Sequence, residues 1–321
     1  MKRIIRQMIL AGISIYFMCI SVYAADRLVP VGKVIGLELH NDTVTVAAFD
    51  DLLTAGRDSG LQIGDEILSI DGKSIDSAAD VQQALKCSDG AVELVVDRNG
   101  RECQIQMEPD ITDAGPKMGV FLRQGITGIG TVTFYDPDTG TFGTLGHAVN
   151  DGKGQLLAMT RGSVYPASVI SIDKGKAGKP GQLKGALQSD RLLGSLTVNS
   201  TQGVFGTAPG AWEGEAIEVA SYDEIHTGEA SIRSTINGSG PRDYSVEIMK
   251  IYPQARADGR NLLIKVTDPE LLAATGGIVQ GMSGSPIIQD GKLVGAVTHV
   301  LVNSPDTGYG IFIENMLDAS K

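Results

Sequence analysis

The chain has 321 residues, of which 42% are hydrophobic and 20% are charged, and its formal net charge is −11. Such a length accommodates two domains of roughly 100–200 residues each. Because phosphate backbones repel an acidic chain, and no cluster of Lys or Arg follows residue 6, the composition argues against a nucleic-acid partner.

The first 25 residues have the pattern of an export signal. Lys2, Arg3 and Arg6 precede an apolar stretch at 8–22. Residues 22–24 (VYA) then offer small side chains at the two positions that a signal peptidase recognises. We predict a signal peptide or a signal anchor over residues 1–25. Both alternatives stay open, since the stretch is short for a membrane span of about 20 residues. In either case the bulk of the chain is expected outside the cytoplasm, and membrane association is expected if the segment is retained.

Residues 28–108 are predicted to form one α+β domain. Its predicted elements are two strands (34–39, 43–49), the turn-rich stretch GLQIGDEILSIDGKSI (60–75), a helix (77–86) and a closing hairpin (91–107). This order resembles a PDZ domain of the bacterial, protease-associated kind. The resemblance implies a groove between the first strand and the helix, where a peptide C-terminus or internal segment adds as an extra strand. The implied groove residues are Ile35, Gly36, Leu37, Val81 and Leu85. The alternative is a PDZ-shaped spacer whose groove is unused.

Cys87 and Cys103 fall in this predicted domain. An exported protein can pair two such cysteines, but their spacing does not decide whether these two are bridged. The sequence has no CxxC or HExxH pattern, so neither a metal site nor a cofactor is predicted.

Residues 109–117 are predicted as a linker, and residues 118–321 as a second domain. Short strands broken by Gly, Asp and Asn fill this second region, and only 269–274 and 313–319 have helical patterns. About 200 residues of this kind suit a closed or two-barrel all-β architecture, so the whole chain is predicted to be mainly β.

Two segments of the second region carry the residues of an acyl-transfer site. His147 stands in the small-residue turn GTLGHAVND, and Ser283 stands in GMSGSP. A serine hydroxyl needs a base to take its proton, and the glycines leave the amides of Gly281 and Ser283 free to bind an oxyanion. Ser285 is a rival nucleophile, but it replaces a glycine of the usual GxSGGP pattern.

The order His then Ser resembles the chymotrypsin-like arrangement of two β-barrels. In that fold a strand after the nucleophile pairs with the substrate backbone. The candidates for this strand are Thr298, His299 and Val300. A structural role for His299 is the alternative.

Spacing does not decide the third member of a triad. Asp268 closes an apolar strand and precedes Pro269, so it equally suits the N-cap of a helix that begins at this proline. From the residues alone, both roles stay open.

Three longer stretches resemble the stage IV sporulation protein B peptidase family. They are GIGTVTFYDPDTGTFGTLGHAVND, TDPELLAATGGIVQGMSGSPIIQDGKLVGAVTHV and TGYGIFIENML. The resemblance covers nearly the whole chain after the signal and implies a chymotrypsin-like double β-barrel. It also implies a triad of His147, Asp268 and Ser283, in which Asp268 orients the base.

The same resemblance implies signalling proteolysis during endospore formation. An exported serine endopeptidase acts between the forespore and mother-cell membranes, cleaves a membrane-bound regulator and so activates processing of a sigma-factor precursor. Two features depart from the pattern. Few residues separate the apolar segment from the PDZ block, which puts self-processing in doubt, and Gly277 stands where enzymes that prefer basic side chains keep an acid.

Two alternative functions remain. A broad envelope quality-control protease combines the same two domains, although it usually carries the PDZ domain after the protease. A non-catalytic PDZ adaptor has no need of all three triad residues.

Overall fold

A computed structural model of the chain describes residues 27–256 and 258–321. The predicted export signal at 1–25 lies outside the described residues. None of the helices in these two ranges is long and apolar enough to cross a membrane. The described chain is mainly β, as predicted, and forms two β-barrels and one smaller α+β domain.

The described residues begin in the first barrel and then form the smaller domain. The strands up to residue 123 are β1 (Arg27–Pro30), β2 (Val34–His40), β3 (Val44–Phe49), β4 (Glu66–Ile70), β5 (Lys73–Ser74), β6 (Val92–Asp97), β7 (Glu102–Met107), β8 (Asp110–Thr112), β9 (Gly115–Lys117) and β10 (Val120–Arg123). The helices of this region are α1 (Ala55–Asp58) and α2 (Ala78–Lys86).

The rest of the chain completes the first barrel and forms the second. The strands from 126 to 218 are β11 (Ile126–Tyr135), β12 (Thr141–Thr144), β13 (Arg161–Asp173), β14 (Gln182–Leu187), β15 (Gly194–Ser200), β16 (Gly203–Thr207) and β17 (Ile217–Glu218). The later strands are β18 (Gly228–Ser234), β19 (Arg242–Ile251), β20 (Leu262–Val266), β21 (Pro286–Gln289), β22 (Lys292–Leu301) and β23 (Ser304–Phe312). The later helices are α3 (Pro269–Thr275) and α4 (Ile313–Ala319).

The first barrel closes because β11 pairs with β2 along one edge and with β12 along the other. The ring runs β12-β16-β15-β13-β2-β11, and β1, β14 and β17 extend it at the sides. Its core is apolar and includes the buried side chains of Val132, Phe142, Val164 and Val204.

The second barrel is a closed ring in the order β18-β19-β20-β23-β22-β21. Strand β19 shows why the sequence folds this way. Tyr244, Val246 and Ile248 alternate with exposed residues and are buried in one core, because successive side chains of a strand point to opposite faces. The prediction of a chymotrypsin-like double barrel is confirmed.

The smaller domain has the sheet β10-β3-β4-β6-β7, with α2 packed against it. The predicted helix is present, and the Ser77 hydroxyl caps it by accepting a hydrogen bond from the Asp80 amide at 3.2 Å. The turn-rich stretch before it is fixed by Asp65, which is only 1% exposed. Its carboxylate accepts hydrogen bonds from the Arg98 guanidinium at 2.8 and 2.7 Å and from the Gln62 amide at 2.8 Å.

The prediction that β2 belongs to the PDZ domain is wrong. Gly36 of β2 pairs with Ile129 of β11 and with Tyr165 of β13, so β2 is a central strand of the first barrel. Ile35 and Leu37 are buried in that barrel and cannot line a PDZ groove. The physical reason is that β2 has partners along both edges, whereas a peptide-binding strand needs a free edge.

The strand beside α2 is instead β10. Val81 and Leu85 of α2, as predicted, line a cavity of about 210 Å³, and Val120 and Phe121 of β10 form its other wall. Strand β10 pairs with β3 along one edge, and its other edge faces the groove.

The predicted boundaries are corrected accordingly. The PDZ domain occupies the chain between β2 and β11, so it is an insertion in a hairpin of the first barrel rather than residues 28–108. The predicted linker at 109–117 contains the two strands of a small hairpin, β8 and β9, with Ile111 opposite Pro116. The peptidase region includes β1 and β2 and excludes β10, so it does not begin at 118.

Candidate active site

Ser283 lies in a loop that two left-handed glycines shape. Gly281 has φ +97° and Gly284 has φ +93°, a backbone conformation that side chains disfavour. The loop is held against the first barrel, because the Thr131 amide donates to the Ser283 carbonyl at 3.0 Å and the Thr133 hydroxyl donates to the Gly284 carbonyl at 2.7 Å. The contact between the barrels therefore fixes the nucleophile loop.

The amides of Gly281 and Ser283 were predicted to form an oxyanion hole. Within the part of the chain that the structure describes, neither amide donates to a backbone or side-chain acceptor. Both are thus free to bind an oxyanion, and that role stays a prediction.

Ser285, the rival nucleophile, has a structural role. Its side chain is fully buried, and its hydroxyl donates to the Ser234 hydroxyl at 3.0 Å. It is not among the residues that line the cavity described below.

His147 follows a tight turn that carries it toward the second barrel. Leu145 and Gly146 both have positive φ, +67° and +69°. A Cβ at Gly146 would lie 2.9 Å from the Thr298 methyl group, so only glycine allows this close approach between the barrels. The loop after His147 is held by Asn199 of β15, whose side-chain amide donates to the Val149 carbonyl at 2.8 Å and whose oxygen accepts from the Val149 amide at 3.0 Å.

The hydrogen bond of the His147 ring sets its chemistry. Nδ1 lies 2.8 Å from the Ala148 carbonyl oxygen. Because a carbonyl only accepts, Nδ1 carries the proton, and in the neutral ring Nε2 is the basic nitrogen. Burial lowers the pKa of His147 below its usual value, while the bond to Ala148 opposes the shift. The imidazole is therefore neutral at pH 7 and able to accept a proton.

One cavity of about 460 Å³ between the barrels brings His147 and Ser283 together. The predicted substrate-strand residues Thr298, His299 and Val300 also line it. The Ser283 hydroxyl donates to the Thr298 carbonyl at 2.8 Å. In this conformation the Ser283 hydroxyl is thus hydrogen-bonded to β22 rather than to the His147 ring.

His299 faces His147, with the ring centroids 5.2 Å apart. Among the described residues, its buried Nδ1 has no hydrogen-bond partner. Burial lowers the pKa of His299 to about 4, and the nearby His147 and Arg260 add to the shift. Both histidines of the cavity are therefore uncharged at neutral pH.

The structure does not bring Asp268 to His147. Its carboxylate caps α3, accepting from the Leu271 amide at 2.9 Å and from the Ser245 amide at 3.4 Å. The strand register explains the separation: Tyr309 pairs with Leu263 on one side and with His299 on the other, so Asp268 lies five residues beyond the level of His299. The first three of these steps, from Leu263 to Val266, lie within β20 and span about 10 Å at 3.2–3.4 Å per residue. The capping role is present, and the triad role stays a prediction.

Sequence reasoning missed Asn199 and the Ala148 carbonyl, which hold the His147 loop and ring. Asn is depleted in strands, so its presence in the strand sequence GSLTVNS was the available signal for the first. A backbone carbonyl leaves no such signal. Across residues 27–256 and 258–321, no cluster of three His, Cys, Asp or Glu could hold a metal ion. Cys87 and Cys103 are unbridged.

The double barrel, with a serine on a glycine loop and a neutral imidazole in one cavity, defines a serine endopeptidase of the chymotrypsin type. The family described as SpoIVB peptidase S55 matches residues 115–317, and a PDZ domain family matches residues 54–98. The chain belongs to the SpoIVB peptidase family, which confirms the resemblance found in the sequence.

Several solved structures are similar to parts of the chain. The active form of the Rv3671c protease from M. tuberculosis is 17% identical over 62% of this chain and 75% of that one, with a TM-score of 0.36. The HtrA-type protease AlgW with a decapeptide is 15% identical over 61% of this chain and 52% of that one, with a TM-score of 0.35. The PDZ domain of the SdrC-like protein Lmo2051 from Listeria monocytogenes is 22% identical over 25% of this chain and 87% of that one, with a TM-score of 0.22. None of the curated proteins compared with the chain matches it.

Proposed function

We propose that this serine endopeptidase acts by nucleophilic catalysis through Ser283 and His147. The observation that carries the proposal is that one cavity holds both side chains, with the basic Nε2 of His147 available. Rotation of the Ser283 side chain away from the Thr298 carbonyl would free its hydroxyl for the base. Ser283 Oγ then attacks the peptide carbonyl carbon, and its proton passes to His147.

The oxyanion of the tetrahedral intermediate would accept hydrogen bonds from the amides of Gly281 and Ser283. One such donor is worth roughly 3–4 kcal/mol of transition-state stabilisation. The C–N bond breaks as His147 returns the proton to the leaving amine. A water molecule, deprotonated by His147, then cleaves the acyl ester on Ser283 and releases the acid product.

In the cell, we propose, the peptidase is exported from the forespore and cleaves a membrane-bound regulator between the two membranes, which activates sigma-factor processing. Membership of the SpoIVB peptidase family and the basic and apolar N-terminal segment support this proposal. The PDZ groove between α2 and β10 would bind a peptide of the substrate or of another copy of the chain. A broad quality-control protease and a non-catalytic adaptor are the competing functions.

Labelling with a fluorophosphonate, mapped by mass spectrometry, tests the catalytic proposal. We expect a single adduct on Ser283 that is lost in Ser283→Ala and in His147→Ala. Ser285→Ala is the matched control, because it removes a serine two residues away that lies outside the cavity. An adduct on Ser285, or none at all, would contradict the proposal, and the second result would favour the adaptor.

The role in sporulation is tested in a spore-forming cell whose own peptidase is replaced by this chain. We expect the wild type to support sigma-factor processing and Ser283→Ala to block it. Processing that continues with Ser283→Ala would separate the peptidase from this pathway, whatever its activity in vitro.

The place of Asp268 in a triad, which the family resemblance implies, would require a conformation different from the one described above. Asp268→Asn tests it cleanly, since Asn caps a helix about as well as Asp but carries no charge. If Asp268 joins the triad during turnover, kcat falls by about 10⁴ while the fold is kept. An unchanged kcat would leave Asp268 with its capping role alone.

A further inference from the structure

The cavity that holds Ser283 and His147 is apolar on both sides. The first barrel contributes Leu37, Leu39 and Ile126, and the second barrel contributes Val279, Val300 and Val302. Among the described residues, no Asp, Glu, Lys or Arg lines this cavity.

The two histidines of the cavity do not add charge. Burial lowers the pKa of both His147 and His299 below the usual range. A charged substrate side chain entering the cavity would therefore lose water and find no ion partner, which is costly. An apolar side chain would gain from leaving water.

The segments that flank Ser283 indicate which substrate residue would contact the apolar walls of the cavity. Residues 278–280 lead directly into the Ser283 loop. Strand β22 carries Thr298 and Val300 along the other side of the cavity, and Val302 follows in the turn after this strand. Strand β21 pairs with β22 as far as Ala296, and the backbone of Gly284 and Ser285 continues this pairing to Val297. Beyond Val297 this edge of β22 has no strand partner within the described chain. A substrate strand added along this edge would place a side chain between the two segments, next to Ser283.

We infer that this peptidase cleaves next to an uncharged, apolar residue of its substrate and that Val300 and Val302 determine this selectivity. The inference rests on the proposed catalytic function and names its substrate class. Val302 is 45% exposed at the rim, so it can be replaced without disturbing a core.

Aminophosphonate diphenyl esters with Val, Lys or Glu side chains test the inference on the full chain, because they phosphonylate Ser283 at a rate that depends on the neighbouring pocket. We expect the Val probe to label at least about 10-fold faster than the Lys or Glu probe, because the charged side chains would lose water in the cavity without gaining an ion partner. Val302→Asp should slow the Val probe and speed the Lys probe. The matched control is Leu192→Asp, which adds the same charge at a residue that is 62% exposed and outside the cavity.

The other possible labelling results would contradict either the apolar selectivity or the catalytic proposal. Faster labelling by the Lys or Glu probe in the wild type would overturn the apolar selectivity and leave the peptidase activity standing. The same conclusion follows if a small fluorophosphonate labels Ser283 but the Val probe does not. If no phosphonate labels Ser283, the catalytic proposal fails and the selectivity fails with it. If Val302→Asp and Leu192→Asp behave alike, Val302 does not determine the selectivity.

Discussion

Gly284→Ala is expected to disturb the contact between the two barrels at the nucleophile. A Cβ at Gly284 would lie 2.0 Å from the Thr131 carbonyl oxygen and 2.5 Å from the Leu145 amide nitrogen. Both are backbone atoms of the first barrel, so no side-chain rotation relieves the clash. The left-handed φ of +93° adds about 1–2 kcal/mol for a residue with a Cβ. With about 1–3 kcal/mol for overpacking, the expected loss is about 2–5 kcal/mol.

Gly291→Ala separates these two contributions. Gly291 also has a positive φ, +76°, but a Cβ there would meet no atom within 4 Å. This variant should therefore lose only the conformational part, about 1–2 kcal/mol. The difference between the two variants measures the clash at the barrel contact.

The assay combines urea unfolding with the rate of fluorophosphonate labelling at Ser283. We expect Gly284→Ala to label at least 10 times more slowly than the wild type, since a displaced loop misplaces the nucleophile. Gly291→Ala should label at the wild-type rate. Equal stability and equal labelling in the two variants would refute the idea that this contact positions Ser283.

Three further predictions concern protonation and the PDZ domain. The base must be neutral to act and burial lowers the pKa of His147, so the acid limb of the kcat/KM profile should have its midpoint below 6.5; a midpoint at or above 6.5 would contradict this. The pKa of His299 is about 4 in the folded chain and about 6.5 when unfolded, so protons favour the unfolded state as pH falls through that window. Because the ring is partly exposed, solvent screening reduces the effect, and between pH 8 and pH 5 this group should cost about 1 kcal/mol of stability, measurable by urea unfolding. His299→Gln should show a correspondingly weaker pH dependence. Asp65→Ala leaves the Arg98 guanidinium without its buried partner and should destabilise the PDZ domain by about 3 kcal/mol, as followed by hydrogen exchange, whereas the exposed Asp89→Ala should change it far less.

Local sequence patterns predicted where strands and helices lie better than they predicted which strands pair with each other. The sequence indicates a strand at 34–39 and a helix at 77–86, and both exist. Pairing of β2 with β11 could not be read from those patterns, because 85 residues separate His40 from Ile126 and a strand's periodicity does not name its neighbour. The PDZ groove was therefore assigned to the wrong strand.

In the candidate site, too, local patterns identified residues but not the contacts between distant segments. Ser283 and His147 were found because glycines at fixed positions are needed to expose a nucleophile and to let two backbones approach. Asp268 was ambiguous because a carboxylate before a proline serves a helix cap as well as a triad, and the structure has it in the cap. Asn199 stands out as an asparagine in a strand sequence, but no local spacing shows which distant loop its side chain holds.

The insertion of the PDZ domain between β2 and β11 limits where the chain can be cut. A fragment that begins after the PDZ domain would lack β1 and β2, and the first barrel would open, leaving unpaired edges on β11 and β13. The cavity that holds Ser283 and His147 would also lose part of its apolar wall, since Leu37 and Leu39 belong to β2. Any maturation that preserves activity must therefore cut ahead of β1, or cut within the PDZ domain and leave both pieces held together by the barrel ladder.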